Sequence, residues 1–235
     1  VHDARIPVTG RNEQFFRHLY AIRPHILVLN KALNDVKTSM LYALENTPRF
    51  NRTVKTEYQA MVVGIPNVGK SSLINAMRTH TLGIKRKAVE AGARPGVTVR
   101  VQNRVRIMDK PPIYIIDTPG VLSPDHRNIE DAMKLALCDL VLESHVNLYY
   151  LADYLLFWLN QSNDFSYLKL LGIQEQQKEP SDDIQEILAK TCAANDFRIQ
   201  RSMGERWDFD RGAKHFIQLY RNSKFEDSNL DHHLF

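Results

Sequence analysis

The stretch GIPNVGKSS, from Gly64 to Ser72, is the strongest indication of fold in this 235-residue chain. It satisfies the pattern G-x-x-x-x-G-K-[ST], a glycine-rich loop that surrounds phosphate groups between a strand and a helix. The mostly apolar residues 58–63 predict a buried strand before it, and residues 72–77 predict a helix after it. The backbone N–H groups of the loop and the positive end of that helix then face an anion. The alternative, a surface turn that matches by chance, does not explain why both flanks fit.

The residue types in this loop predict how each would bind a nucleoside triphosphate. Lys70 would reach the β- and γ-phosphates, and the Ser71 hydroxyl would bind Mg²⁺. We also expect Lys70 to be catalytic, because it can neutralise charge that develops during phosphoryl transfer. The other nucleotide contacts predicted in the loop are Pro66, Asn67, Val68, Gly69 and Ser72.

A second motif, IYIIDTPG at 113–120, supports the first. Its apolar strand ends in Asp117, which stands where P-loop nucleotide hydrolases carry the carboxylate that holds Mg²⁺, usually through water. Gly120 would offer a backbone N–H to the γ-phosphate. Between the two motifs, Thr98 in the segment 93–98 could add a second hydroxyl to Mg²⁺. We therefore predict Thr98 and Gly120 as further catalytic residues.

The composition describes an ordinary globular protein, with 43% hydrophobic and 25% charged residues. The length leaves room for one nucleotide-binding domain and a smaller second domain. No apolar run approaches the roughly 18 residues that a membrane span needs, so no integral membrane segment is expected. Cys138 and Cys192 lack the spacing of metal ligands and are expected to be buried, reduced thiols.

Basic residues are concentrated between Arg78 and Lys110, where nine of them occur with only two acidic residues. Such a cluster indicates a polyanionic partner, and we expect RNA rather than DNA. The alternative is a solvated edge strand, because Val105 and Ile107 alternate with Arg104 and Arg106. Composition alone leaves both interpretations open.

The order of the motifs is unusual for a nucleotide hydrolase. An apolar segment, 25–29, ends in Asn30-Lys31, a base-reading pair that ordinary GTPases carry after the other motifs. Here it precedes the P-loop, and DARIP at 3–7 precedes both. The succession DARIP, Asn-Lys, GIPNVGKSS, PGVT and DTPGV resembles the circularly permuted GTPases of the RbgA/YlqF type.

That resemblance implies an α/β fold: a P-loop GTPase sheet with circularly permuted strand order at 1–128, then a small all-α domain at 129–235. It implies GTP or GDP with Mg²⁺, and K⁺ bound partly by Asn67; the alternative for Asn67 is a local turn residue that bonds its own backbone. The expected partner is the large ribosomal subunit, both its rRNA and its ribosomal proteins. Hydrolysis of GTP would be stimulated by that partner during subunit assembly.

Within the family, residues 133–138 and 151–156 are most similar to mitochondrial members. This similarity implies a mitochondrial location, in the matrix or at the matrix face of the inner membrane. A bacterial or chloroplast origin stays open.

Two departures from ordinary GTPases affect these expectations. Lys31 is followed by Ala32-Leu33, so the aspartate that recognises guanine is missing from its expected place. Either residues are absent between Lys31 and Ala32, which we prefer, or base discrimination has been lost. Moreover, Val121 stands where Ras-like enzymes place a water-orienting glutamine, and valine cannot do that work.

Beyond Pro124 the pattern is helical, with a basic face on the last helix. This face could contact RNA or could simply be solvated. Two other functions stay open from the residues alone: a P-loop ATPase, and an RNA scaffold that binds nucleotide with little hydrolysis. The helices are predicted at 130–146, 151–161, 183–194 and 210–224.

Overall fold

The computed structural model describes residues 1–11, 17, 25–29, 33–46, 57–88, 104–120, 128–141, 146–201, 204–226 and 228–232. Two compact units divide the chain, Val1–His126 and Arg127–Phe235. Four residues singled out above, Asn30, Lys31, Thr98 and Val121, lie outside the described residues.

The first unit contains a sheet in which the P-loop strand pairs with the strand of the second motif. Strand β1 (Tyr58–Val62) lies parallel to β3 (Ile113–Asp117), and β2 (Val105–Met108) joins β3 on its other side, antiparallel. Val62 lies directly opposite Asp117 in this register. Because parallel strands end at the same edge of a sheet, the loops that follow β1 and β3 begin side by side.

Two helices pack against this sheet, α1 (Leu33–Asn46) and α2 (Lys70–Leu82). Ile74 and Met77 lie three residues apart in α2 and therefore face the same side of the helix. Both are buried against the sheet, as the apolar positions after the P-loop predict. The core of this unit consists of Met40, Tyr58, Ile74, Met77, Ile107, Met108, Ile113 and Ile115.

The first residues of the chain lie beside the P-loop strand. The Val1 nitrogen donates to the Val63 carbonyl at 2.7 Å, and the His2 nitrogen donates to the Val28 carbonyl at 2.9 Å. His2 and Leu29 also form a parallel β-bridge. Successive N–H groups of an extended chain point to opposite sides, so residues 1–2 lie between residues 28–29 and the end of β1.

The second unit is mainly helical. Asn147, Asp183 and Asp208 each accept a backbone N–H with their side chains, which fixes where three of its helices begin. Buried leucines and isoleucines on α4 (Leu148–Gln161) and α6 (Ile184–Ala194) pack against α7 (Phe209–Arg221). The buried residues of α7 in this contact are Phe216, Ile217 and Tyr220. The elements are α3 (Ile129–Leu137), α4 (Leu148–Gln161), α5 (Tyr167–Leu170), α6 (Ile184–Ala194), β4 (Arg198–Arg201), β5 (Gly204–Trp207) and α7 (Phe209–Arg221).

The expectation of an all-α C-terminal region is wrong, because β4 and β5 form an antiparallel hairpin. Gly204, which begins β5, has a positive φ of 111° that favours glycine. Each strand has only four residues, too few for apolar alternation to be recognisable in the sequence. None of the helices in the described parts of the chain has the length and apolar character needed to cross a bilayer.

The helix predicted over 130–146 is also shorter than expected. It ends at Leu137, and Asp139 has a φ of 61°, which a continuing α-helix does not allow. The Leu140 nitrogen instead donates to the Leu135 carbonyl at 2.9 Å, which closes the helix end. The apolar residues just beyond Leu137 therefore do not continue this helix.

Candidate nucleotide-binding site

The loop between β1 and α2 reverses direction through two left-handed residues. Asn67 has a φ of 59° and Gly69 a φ of 89°, and α2 begins immediately afterwards at Lys70. Gly69 occupies the N-cap position, and no side chain there accepts a hydrogen bond from the first turn of the helix. The N-cap residue therefore leaves the first N–H groups of α2 able to face an anion.

Lys70 lies within this loop and not in solvent. Its Nζ donates to the carbonyl oxygens of Ile65 at 2.8 Å and Gly64 at 3.1 Å, and the residue is only 6% exposed. Burial lowers the pKa of Lys70, and the nearby Asp117 carboxylate opposes part of that shift. The cation is thus held by neutral oxygen atoms in a site that still favours an additional negative charge.

Asp117 and Ser71 meet at the end of β3. The Ser71 hydroxyl donates to Asp117 Oδ2 at 2.9 Å, and Asp117 is 0% exposed. Its other oxygen, Oδ1, is buried and has no hydrogen-bond partner among the described residues. A buried, unsatisfied carboxylate oxygen is costly unless a cation or a water fills the place. A hydroxyl and a carboxylate are oxygen donors of the kind Mg²⁺ prefers, so these residues fit the predicted metal.

The loop after β3 is held against the P-loop. Thr118 Oγ1 donates to the Val62 carbonyl at 2.8 Å, which ties the end of β3 to the end of β1. A Cβ added to Gly120 would lie 2.6 Å from both the nitrogen and Cγ of Pro66. Only glycine can approach the P-loop this closely without displacing it. Sequence reasoning missed the part played by Thr118, which was visible only as the second letter of the DTPG motif.

The other predicted loop residues differ in burial. Val68 is fully buried, so it can contact a nucleotide only through its backbone. Ser72 is exposed on the first turn of α2, and Pro66 is half-buried. The structure therefore brings Lys70, Ser71 and Asp117 together, while Asn30, Lys31 and Thr98 lie outside the described residues.

Comparison with known proteins gives a consistent result. The family described as 50S ribosome-binding GTPase matches residues 59–191, more than half of the chain. Mitochondrial ribosome-associated GTPase 1 of Ictalurus punctatus is 41% identical, and the match covers 80% of this chain and 68% of that protein. Mitochondrial GTPase 1 of Aedes aegypti is 34% identical, with 98% and 85% covered. The mouse mitochondrial ribosome-associated GTPase 1 is 30% identical, with 98% and 82% covered.

The relatives and the family model each confirm a prediction made from the sequence. All three are named as mitochondrial GTPases, which confirms the mitochondrial location. The GTPase family model confirms an enzyme that binds GTP or GDP and hydrolyses GTP. The P-loop, the buried Asp117 and these similarities lead to one conclusion: the chain belongs to the family of mitochondrial ribosome-associated GTPases.

Proposed function

We propose that this GTPase acts in the assembly of the large subunit of the mitochondrial ribosome, and that contact with the subunit stimulates hydrolysis. One observation carries the proposal for the site: the parallel pairing of β1 and β3 brings Ser71 within 2.9 Å of Asp117, beside Lys70. The ribosomal partner is supported by the description of the matching family and by the names of the relatives.

Each residue of the site has a distinct role in this proposal. Lys70 and the backbone N–H groups of the P-loop bind the phosphates and stabilise the charge that develops in the transition state. Ser71, Asp117 and Thr98 would hold Mg²⁺, which would neutralise charge on the phosphates. Asn67 contributes an oxygen ligand for K⁺ at the turn where its φ is positive.

Gly120 senses the γ-phosphate in this account. Its contact with Pro66 means that a displacement of the loop after β3 must also be felt by the P-loop. Val121 follows it and cannot orient the attacking water, so intrinsic hydrolysis is slow and a partner must supply what is missing. That requirement explains why hydrolysis would be coupled to the arrival of a ribosomal subunit.

We also propose that the GTPase sheet is circularly permuted, with domains at 1–128 and 129–235. The support is that residues 1–2, which precede β1 in sequence, lie between residues 28–29 and Val63, which follows β1: the Val1 nitrogen donates to Val63, and the His2 nitrogen donates to Val28. Asn30 and Lys31, which follow directly in the sequence, would contact the base in such a permuted domain. The chain beyond Gly120 continues into the C-terminal domain, so a response to the γ-phosphate can reach that domain.

We propose that residues are absent after Lys31, which would account for the missing guanine-reading aspartate. The alignment with the Aedes relative extends over 273 positions, more than the 235 residues of this chain, so that relative has residues without a counterpart here. An aspartate within two residues of Lys31 in the longer protein is the outcome that this explanation requires.

The test is phosphate release from GTP in the presence of purified mitochondrial large subunits, with small subunits as the control. We expect large subunits to stimulate hydrolysis strongly in K⁺ and weakly in Na⁺. Equal stimulation by both subunits, or none by either, would overturn the ribosomal part of the proposal. Displacement of GTP by equimolar ATP would overturn the guanine preference.

A further inference from the structure

Two stretches of the basic run are described by the structure, 78–88 and 104–110, and they differ in electrostatics. Helix α2 ends at Gly83, whose N–H donates to the Thr79 carbonyl at 3.0 Å and whose φ is 68°. The chain turns sharply there and continues as Ile84–Ala88, which we call the basic loop. It carries Lys85, Arg86 and Lys87 in succession, and all three are exposed.

Polar side chains of α2 hold the backbone of the basic loop. Thr79 Oγ1 donates to the Ile84 carbonyl at 3.1 Å, and Arg78 Nη1 donates to the Arg86 carbonyl at 3.1 Å. The Ala88 nitrogen donates to Asn75 Oδ1 at 3.0 Å.

These bonds reach backbone atoms at the beginning, middle and end of the basic loop, so the loop runs back along α2 in a defined conformation. None of the bonds uses the side chains of residues 85–87. The three cations are therefore presented to solvent from a fixed backbone.

The arginines of strand β2 and its flank are neutralised within the molecule. Arg104 pairs with Glu57 at 2.5 Å and stacks over the Tyr114 ring, with its guanidinium carbon 4.5 Å from the ring centre. Arg106 pairs with Asp109 at 2.9 Å. The edge-strand interpretation of the sequence is thus adequate for these arginines, and it does not extend to the basic loop.

In the basic loop, by contrast, no cation pairs with a carboxylate among the described residues. Holding three like charges next to one another is unfavourable unless an anion compensates for them. The α2 side chains fix the backbone that carries these three adjacent charges, an arrangement that suits an external polyanion.

We propose that the basic loop docks on the phosphate backbone of RNA; this inference rests on the proposed ribosomal function and specifies one surface for it. Lysine and arginine are the residues that contact phosphates, with arginine able to bind two oxygens at once. Residues 83–88 contain no aromatic side chain on which a base could stack. The contact therefore fixes position on RNA without reading its sequence.

The experiment compares two variants of the full chain with equal loss of charge. Lys85→Gln/Arg86→Gln/Lys87→Gln removes the cations of the basic loop, and Arg104→Gln/Arg106→Gln/Lys110→Gln removes three from the strand region. The affinity of each for a labelled RNA duplex of random sequence is measured from low to moderate salt. Unstimulated GTP hydrolysis serves as the check that each variant is folded.

We expect the loop variant to bind RNA at least tenfold more weakly and the strand variant to change less than threefold. The slope of log affinity against log salt should fall by about 2 to 3 for the loop variant, since each phosphate contact contributes roughly 0.7 to 0.9. Asn75→Ala removes an anchor without changing charge and should weaken binding about threefold if presentation of the loop matters.

Equal losses in the two charge variants would overturn the inference, because net charge alone would then explain binding. Unchanged RNA affinity of the loop variant would also overturn it. The inference fails as well if the loop variant loses affinity only for vesicles of anionic phospholipid or only for ribosomal proteins. If large subunits fail to stimulate wild-type hydrolysis, the proposed function fails whatever the RNA result. If they stimulate wild type and loop variant alike and RNA affinity is unchanged, only the inference about the basic loop fails.

Discussion

Each unit of the protein buries a lysine beside an aspartate, and the two pairs are completed in different ways. In the second unit, Lys134 Nζ lies 3.1 Å from Glu130 Oε1 and 3.4 Å from Asp231 Oδ1, with Lys134 and Asp231 both buried. In the first unit, Lys70 Nζ binds two backbone carbonyls, and Asp117 accepts from a hydroxyl while its Oδ1 has no partner among the described residues.

The comparison shows how the same residue types serve structure in one place and binding in another. Lys134 has its compensating charges in the folded chain, and Asp231 brings residues 228–232 against α3. The charges of Lys70 and Asp117 are satisfied mainly by neutral groups, so folding alone leaves this site electrostatically incomplete. Lys134 and Asp231 are expected to stabilise the fold. Lys70 and Asp117 are expected to bind a ligand, at some cost in stability.

The largest effect expected from this comparison is on stability. Lys134→Met would remove the cation that lies 3.4 Å from the buried Asp231, and breaking a buried ion pair in this way costs about 3–5 kcal/mol. Urea unfolding should show this loss in the free energy of unfolding. The control, Lys190→Met, disrupts a more exposed pair with Glu186 and should cost less than about 1 kcal/mol. Equal costs for the two variants would remove the distinction.

The same substitution in the first unit should affect binding. Lys70→Met removes the charge that contacts the phosphates, and loss of one partner of such a pair costs about 2–5 kcal/mol of GTP affinity. Since burial lowers the pKa of Lys70, its charged form is disfavoured by folding at neutral pH. The substitution also leaves two backbone carbonyls without their donor, which costs about 1–3 kcal/mol, so the free energy of unfolding without nucleotide should fall by less than it does in Lys134→Met. A destabilisation as large as that of Lys134→Met would contradict the comparison.

A smaller effect is expected where the two motifs touch. Gly120→Ala places a methyl group 2.6 Å from Pro66, and overpacking of this kind costs about 1–3 kcal/mol. GTP hydrolysis and affinity for a non-hydrolysable GTP analogue should fall, with GDP affinity changed less. The control is Gly204→Ala, which strains a backbone with a φ of 111° in the second unit but gives the added Cβ no neighbour within 4 Å among the described residues; it reports general destabilisation and should leave nucleotide binding unchanged. A larger loss for GDP than for the analogue would argue against γ-phosphate sensing.

The smallest effect concerns the bond between the ends of β1 and β3. Thr118→Val keeps the shape of the side chain but removes its hydrogen bond to the Val62 carbonyl, which should cost about 1 kcal/mol in thermal unfolding. Thr118→Ser retains the hydroxyl and should recover most of that loss. If the serine variant is no better than the valine variant, packing of the methyl group is responsible and the bond is not.

The nucleotide site was predictable because its signals are local. The P-loop pattern, the apolar strand before Asp117 and the glycine at 120 each occupy a few consecutive residues, and their backbone requirements follow from those residues. The register that places Val62 opposite Asp117 is not local, because it depends on pairing between strands far apart in the chain.

The structural pair in the second unit was not predictable for the same reason. Lys134 and Asp231 are separated by 97 positions, and nothing in the sequence near either residue identifies the other. The hairpin of β4 and β5 escaped because its strands are short and polar. The nine basic residues between Arg78 and Lys110 were recognised as a group, but only the structure distinguishes paired arginines from exposed cations.

The Mg²⁺ dependence of nucleotide affinity shows whether Lys70, Ser71 and Asp117 form one site for magnesium-bound GTP. Binding of a non-hydrolysable GTP analogue is titrated with and without Mg²⁺ for the wild-type chain and for Asp117→Asn. We expect Mg²⁺ to strengthen binding of the analogue to the wild type and to have little effect on its binding to the variant. An undiminished Mg²⁺ response in Asp117→Asn would contradict this expectation.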